Sequence, residues 1–144
     1  MSIIVEFFAA PDDASARQAL LTGPGRAFES LSFGNFDPEE AVVEWEHLLV
    51  GSPVEELVEA GEPRIVAGQD NDGCVVFALS ARLSTALAGT ARSRSSEVAA
   101  SWVRLRAEDG EIIGPEIADQ IVDGLAALVS GARQRNQNVY CWVA

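Results

Sequence analysis

The sequence predicts one α+β domain spanning residues 1–144, with a small mixed sheet that includes the N- and C-terminal strands and about five to six helices packed on it. Three observations carry this. β-branched and aromatic runs stand at both ends, SIIVEFFAA over 2–10 and VYCWV over 139–143. Two helix-start signals follow one another, Asp37-Pro38-Glu39-Glu40 and Ser52-Pro53-Val54-Glu55. The longest amphipathic stretch opens on Gly114-Pro115 and leads into the last strand. No internal repeat or low-complexity linker divides the chain.

In order, residues 2–10 read as a strand whose apolar character suits a buried position. Asp12-Asp13 caps a short helix over 14–21, closed by Thr22-Gly23-Pro24-Gly25. Residues 27–36 form a short strand or irregular segment, with Phe28, Leu31, Phe33 and Phe36 packing inward. Asp37 is a cap, Pro38 sits at the first helical position and Glu40 at the third, so a helix runs to Val50 and stops at Gly51. A second helix reaches about Ala60 and closes on Gly61. Strands over 64–67 and 74–79 flank the turn Gln69-Asp70-Asn71-Asp72-Gly73, whose composition suits a hairpin. Ser80 caps a helix to about Ala88. Residues 89–96, GTARSRSS, read as a loop, the next helix as 97–107, and the long one as 115–133.

The chain has 144 residues and a formal charge of −12. Its size suffices to bury about two-thirds of the unfolded surface, so folding requires neither disulfide nor metal. The negative charge argues against nucleic acid and anionic membrane as partners. Apolar runs are too short to span a bilayer, and the N-terminal stretch lacks a positive region and carries Glu6, so neither a membrane span nor a signal peptide is expected. A cytoplasmic location is expected by default, with Cys74 and Cys141 reduced core residues. All ten basic residues are arginine, a pattern that a GC-rich genome produces. Lysine-dependent chemistry is excluded: Schiff bases, P-loops and kinase-type phosphate contacts.

The first candidate site is Glu44-Trp45-Glu46-His47, an E-x-x-H pair on a helix. At about 100° per residue, Ala41, Val42, Trp45, Leu48 and Leu49 form an apolar face. The same wheel places Glu40, Glu44 and His47 on the solvent side, with Trp45 as core anchor. A di-iron bundle needs two such pairs aimed inward, and the chain has one histidine. The remaining metal option is a surface site on Glu40, Glu44 and His47. Its bland counterpart is a solvated helix face with His47 near the helix C-terminus. Two distant cysteines and one histidine do not make a zinc site. The 68–79 segment has Gly68 and Leu79 where an EF-hand needs acids. Gly23-Pro24-Gly25 lacks the third glycine of a dinucleotide loop. No G-x-S-x-G elbow occurs. No cofactor is expected.

Charge is segregated along the chain. Residues 37–62 carry nine acids and no base, while 82–106 carry Arg82, Arg92, Arg94, Arg104 and Arg106 against Glu97 alone. The segregation suggests a dipolar surface.

Several stretches, taken in order, resemble the YfbM-like family, small bacterial domains of unknown function. They are IIVEFFAAPDDASARQALL, the acidic helix ending Leu48-Leu49-Val50-Gly51, and IADQIVDGLAALVSGARQRNQ leading into the final strand. The resemblance implies a cytoplasmic α+β domain and no established activity. The family's early Trp and its His before the Leu-Leu pair fall at Val42 and Glu46, so no role passes to Trp45 or His47.

The functional expectation is a non-enzymatic protein-interaction module, for instance an immunity or inhibitor protein. It would meet a basic partner through Glu39, Glu40, Glu44, Glu46, Glu55, Glu56 and Glu59. The alternative is a small-molecule or anion-binding domain, or a carboxylate-based enzyme, with an arginine-containing pocket in which Arg92 or Arg94 grips the ligand. The sequence leaves the oligomeric state open.

Overall fold

The computed structural model describes residues 3–69 and 73–144. The elements are β1 (Ile4–Ala10), α1 (Asp13–Arg17), β2 (Ser30–Gly34), α2 (Pro38–Val50), α3 (Val54–Glu59), β3 (Arg64–Gly68), β4 (Val75–Ala78), α4 (Ala81–Ala88), α5 (Arg92–Glu108), α6 (Pro115–Gln134) and β5 (Asn138–Val143). Part of the turn expected over 69–73 lies outside the described residues.

The α+β class is as the sequence predicts, but the sheet is antiparallel throughout rather than mixed. Its order is β2-β1-β5-β4-β3, with the two terminal strands paired at the centre, Phe7 opposite Cys141. A parallel pair needs a crossover connection. Here β3 and β4 run antiparallel as a hairpin, and the three-helix excursion after β4 re-enters beside the end it left, Ala78 pairing with Tyr140.

Alternation along the strands divides the interior. Val5, Phe7 and Ala9 of β1, Phe77 of β4, and Val139 and Cys141 of β5 face the layer of α2, α4, α5 and α6. Phe8, Ala10, Val76, Ala78, Tyr140 and Trp142 face α1 and the segment after it. This second core is closed by Leu20 and Phe28, and Trp142 donates its indole N–H to Leu20 O at 2.8 Å. Gly23 lies under that ring with φ +81°, where a Cβ would stand 3.0 Å from the indole. Both the backbone conformation and the space require glycine there.

The wheel reading of α2 needs correction. Asp37 caps the helix through the amides of Glu39 and Glu40, and Gly51 ends it at φ 89°, as expected. Yet every residue from Ala41 to Glu46 is buried. The helix packs against both α4 and α5. A wheel sorts polar from apolar, but neighbouring helices decide which polar flank sees water.

A second correction concerns 89–96. Helix α5 begins at Arg92, so most of the expected loop is its first turn and a half. It has no side-chain cap; docking on α6 holds it, with Ser96 Oγ donating to Asp119 at 3.0 Å and Ser95 buried. Tertiary contact overrides weak local propensity. Conversely, the helix expected over 14–21 is confined to Asp13–Arg17.

Both cysteines are free thiols, Cys141 fully buried and Cys74 half-buried near the start of β4. Burial raises the Cys141 thiol well above its ordinary value, suppressing the thiolate. A thiol reagent should therefore modify Cys74 in the folded protein and Cys141 only on unfolding. Equal rates under native conditions would contradict this packing.

Candidate functional site

The E-x-x-H stretch resolves into three separate environments. Arg106, in the last turn of α5, reaches α2 with a side chain only 7% exposed. Its Nη2 lies 2.9 Å from Glu40 Oε1, 2.9 Å from Glu44 Oε2 and 2.5 Å from Asp109 Oδ2. Glu111 approaches Nη1 at 3.4 Å. Trp102 Nε1 donates to the other oxygen of Glu44 at 3.2 Å. Burial raises the Glu44 pKa, opposed by the Arg106 charge and the indole hydrogen bond. Glu44 thus faces inward, not toward solvent. Beside it Trp45 and Trp102 pack edge to face at 5.1 Å, with Phe36 against both.

The surface metal site on Glu40, Glu44 and His47 is not assembled. Glu40 and Glu44 converge on the Arg106 guanidinium, whereas His47 Nδ1 lies 2.8 Å from the backbone carbonyl of Ser52. The carboxylates that do gather, Glu40, Glu44 and Asp109, are those surrounding Arg106. The cation held there is a side chain, and the arrangement joins α2 to α5.

Glu46 is likewise buried and accepts the hydroxyl proton of Ser80. Ser80 Oγ accepts in turn from the amide of Leu83, so Glu46 orients the cap of α4. Of the acids expected to form one face, Glu44 and Glu46 are therefore interior. Glu40 is bound to Arg106, and Glu39 is partly buried, which raises its pKa. Glu55, Glu56 and Glu59 on α3 remain exposed. The acid-rich and arginine-rich segments meet within the molecule, so their separation along the chain is partly cancelled in space.

Arg92 and Arg94 are engaged by groups of the fold itself. Arg92 pairs with Asp119 of α6 and lies 3.6 Å from Asp123. Arg94 pairs with Glu97 at 3.2 Å and donates to Leu48 O at 2.8 Å. The anions that these two arginines bind belong to the protein itself.

A concave site occurs elsewhere, at the end of the sheet where β4 leaves and β5 enters. It is a cleft of about 340 Å³ whose lining includes Glu62, Arg64, Ser84, Arg133, Asn138 and Tyr140. Arg64 opens β3 and grips Asp13 at 2.7 and 3.2 Å, and Tyr140 Oη donates to the same carboxylate at 2.8 Å. Those two hydrogen bonds hold the Asp13 pKa below its ordinary value. Burial and the bond to Asp13 push Tyr140 up to about 12, so the phenol is a donor at neutral pH, not a base. Burial, then the neighbouring Glu46, raises Glu62. Arg133 of α6 spends one Nη1 donor on Thr85 Oγ1 at 3.2 Å and meets no carboxylate among the described ion pairs.

These residues come from the turn before β3 and from β3, α4, α6 and β5, and share no spacing in the chain, so no local pattern assembles them. The one partial signal was Asp12-Asp13. Asp12 is the cap of α1, accepting from Ser15 N at 2.8 Å, which leaves Asp13 for Arg64 and Tyr140.

No protein-family model, no curated protein and no solved structure matches the chain. Among the described residues, no helix is long and apolar enough to cross a membrane.

Proposed function

We propose that this chain is a small protein-interaction module that uses the glutamates of α3 to meet a basic partner surface. The observation that carries this reading is the state of Glu55, Glu56 and Glu59. All three are exposed, and none is in an ion pair among the described residues. Val58 on the same helix is 59% exposed and Val50 just before it 42%, so apolar area accompanies the unpaired charge. Desolvated apolar contact supplies affinity, and the carboxylates supply steering and discrimination. An immunity or inhibitor protein docking on a basic target is a concrete form.

The test compares the wild type with the triple variant Glu55→Gln, Glu56→Gln, Glu59→Gln as bait in a lysate of the source organism. Exposed sites such as these change stability by roughly 0.5 kcal/mol or less each, so the variant should fold normally. The wild type should retain basic proteins at low ionic strength and release them near ~0.3 M salt, where screening is effective within a few ångströms. The triple variant should retain them at least about tenfold less. Recovery of only neutral or acidic proteins, or equal retention by both baits, would overturn the proposal.

A further inference from the structure

The geometry points to a second binding site, for a small hydroxylated anion such as a sugar phosphate or sugar acid, in the cleft at the β4–β5 end of the sheet. This goes beyond partner binding by α3 and rests on different residues.

Volume comes first. At about 340 Å³ the cleft lies within the range of small-ligand sites, roughly 300–1,000 Å³. In a chain that carries −12 overall, the cleft is lined by two guanidiniums, Arg64 and Arg133; the carboxylates beside them are Glu62 in the lining, Asp13 on Arg64 and Glu46 behind Ser80. The two arginines are not equivalent. Arg64 is committed to Asp13 through both terminal nitrogens, a forked pair that also receives the Tyr140 hydroxyl. That triad fixes one wall and consumes most of the Arg64 charge. Arg133 has only a hydroxyl partner, Thr85, so most of its donors and its full charge are free to take an oxyanion in forked geometry.

The rest of the lining suits hydroxyl groups. Ser84 and the side-chain amides of Gln137 and Asn138 each both donate and accept, and Glu62 accepts. A wall built from such groups recognises a polyhydroxylated body, while a purely apolar acid would leave them without partners. Arg133 and the polar wall together therefore select an anionic head on a hydroxyl-rich frame. The phenol of the cleft is kept protonated and acts as a donor, and the inference is one of binding.

The experiment is calorimetric titration of the full chain with glucose 6-phosphate, gluconate, inorganic phosphate and glucose. Glucose 6-phosphate or gluconate should bind with a dissociation constant of about 1 mM or tighter, with inorganic phosphate and glucose each at least about tenfold weaker. Arg133→Gln, on an exposed position of α6, should weaken the hydroxylated anion at least about tenfold while leaving the melting temperature within a few degrees. Asn138→Ala should weaken it without affecting inorganic phosphate. The α3 triple variant should bind as the wild type does, which separates this site from the partner surface. Absence of saturation by both hydroxylated anions at about 10 mM overturns the inference, as does equal affinity in Arg133→Gln. Tighter binding of inorganic phosphate than of either hydroxylated anion overturns the assigned ligand class.

Discussion

Arg106→Ala should destabilise the protein by about 3–5 kcal/mol at neutral pH, because it leaves the buried Glu44 carboxylate without its charge partner. For a chain of this size that is a fall in melting temperature of roughly 10 °C or more. The deficit should depend on pH in a defined direction. Burial already holds the folded-state pKa of Glu44 above its ordinary value, and Arg106 opposes that rise. A carboxyl with a raised folded pKa binds its proton more tightly in the folded state. The stability it contributes is complete below the unfolded pKa and is lost as pH rises through the folded one. Removing Arg106 moves the folded value higher still, so the variant loses stability over a wider span on the way to neutrality. Its deficit against wild type should therefore shrink between about pH 7 and pH 5, as Glu44 takes up a proton. Pairing Arg106→Met with Glu44→Gln should recover much of the loss, since no uncompensated charge is then buried. Urea unfolding at both pH values measures all of this. A deficit under about 1 kcal/mol, or one that does not change with pH, would show that the exposed carboxylates around Arg106 matter more than Glu44.

The second large effect is expected at Trp45. Its side chain is 1% exposed and stands between the sheet, through Phe7, and the rings of Phe36 and Trp102. Trp45→Ala should cost about 3–5 kcal/mol, from lost burial plus the cavity left between Phe7, Phe36 and Trp102. Trp45→Phe should cost distinctly less. The indole N–H meets no hydrogen-bond partner among the described residues, so only volume and ring contact are lost. Equal costs for the two substitutions would mean that the indole nitrogen is bonded in solution and that the volume argument fails.

These two residues also mark where the sequence was readable. Trp45 was legible as a core anchor because apolar spacing at 41, 42, 45, 48 and 49 is a local property of the helix. The ends of α2 were legible for the same reason, since Asp37, Pro38 and Gly51 act on their own backbone. Glu44 was not. One helix wheel away from the apolar face, it reads as solvated, and only the arrival of α5 with Arg106 and Trp102 turns that flank into interior. Glu46 was misread in the same manner, because its partner Ser80 lies on the far side of the chain from any local pattern. GTARSRSS looked like a loop because its polarity is real. Its helical form depends on Asp119 of α6, which receives Arg92 and Ser96.

The sequence by itself determined the α+β class, the positions of most elements and the absence of lysine side chains. All of these follow from composition or from interactions within a few residues. The tertiary structure alone decided that the sheet is antiparallel throughout, which carboxylates face water, and where arginines line a cleft. Those outcomes depend on contacts between segments up to more than a hundred residues apart, such as Tyr140 with Asp13. A buried charge is stable only where a distant partner meets it, and neither the need nor the partner is written in local periodicity.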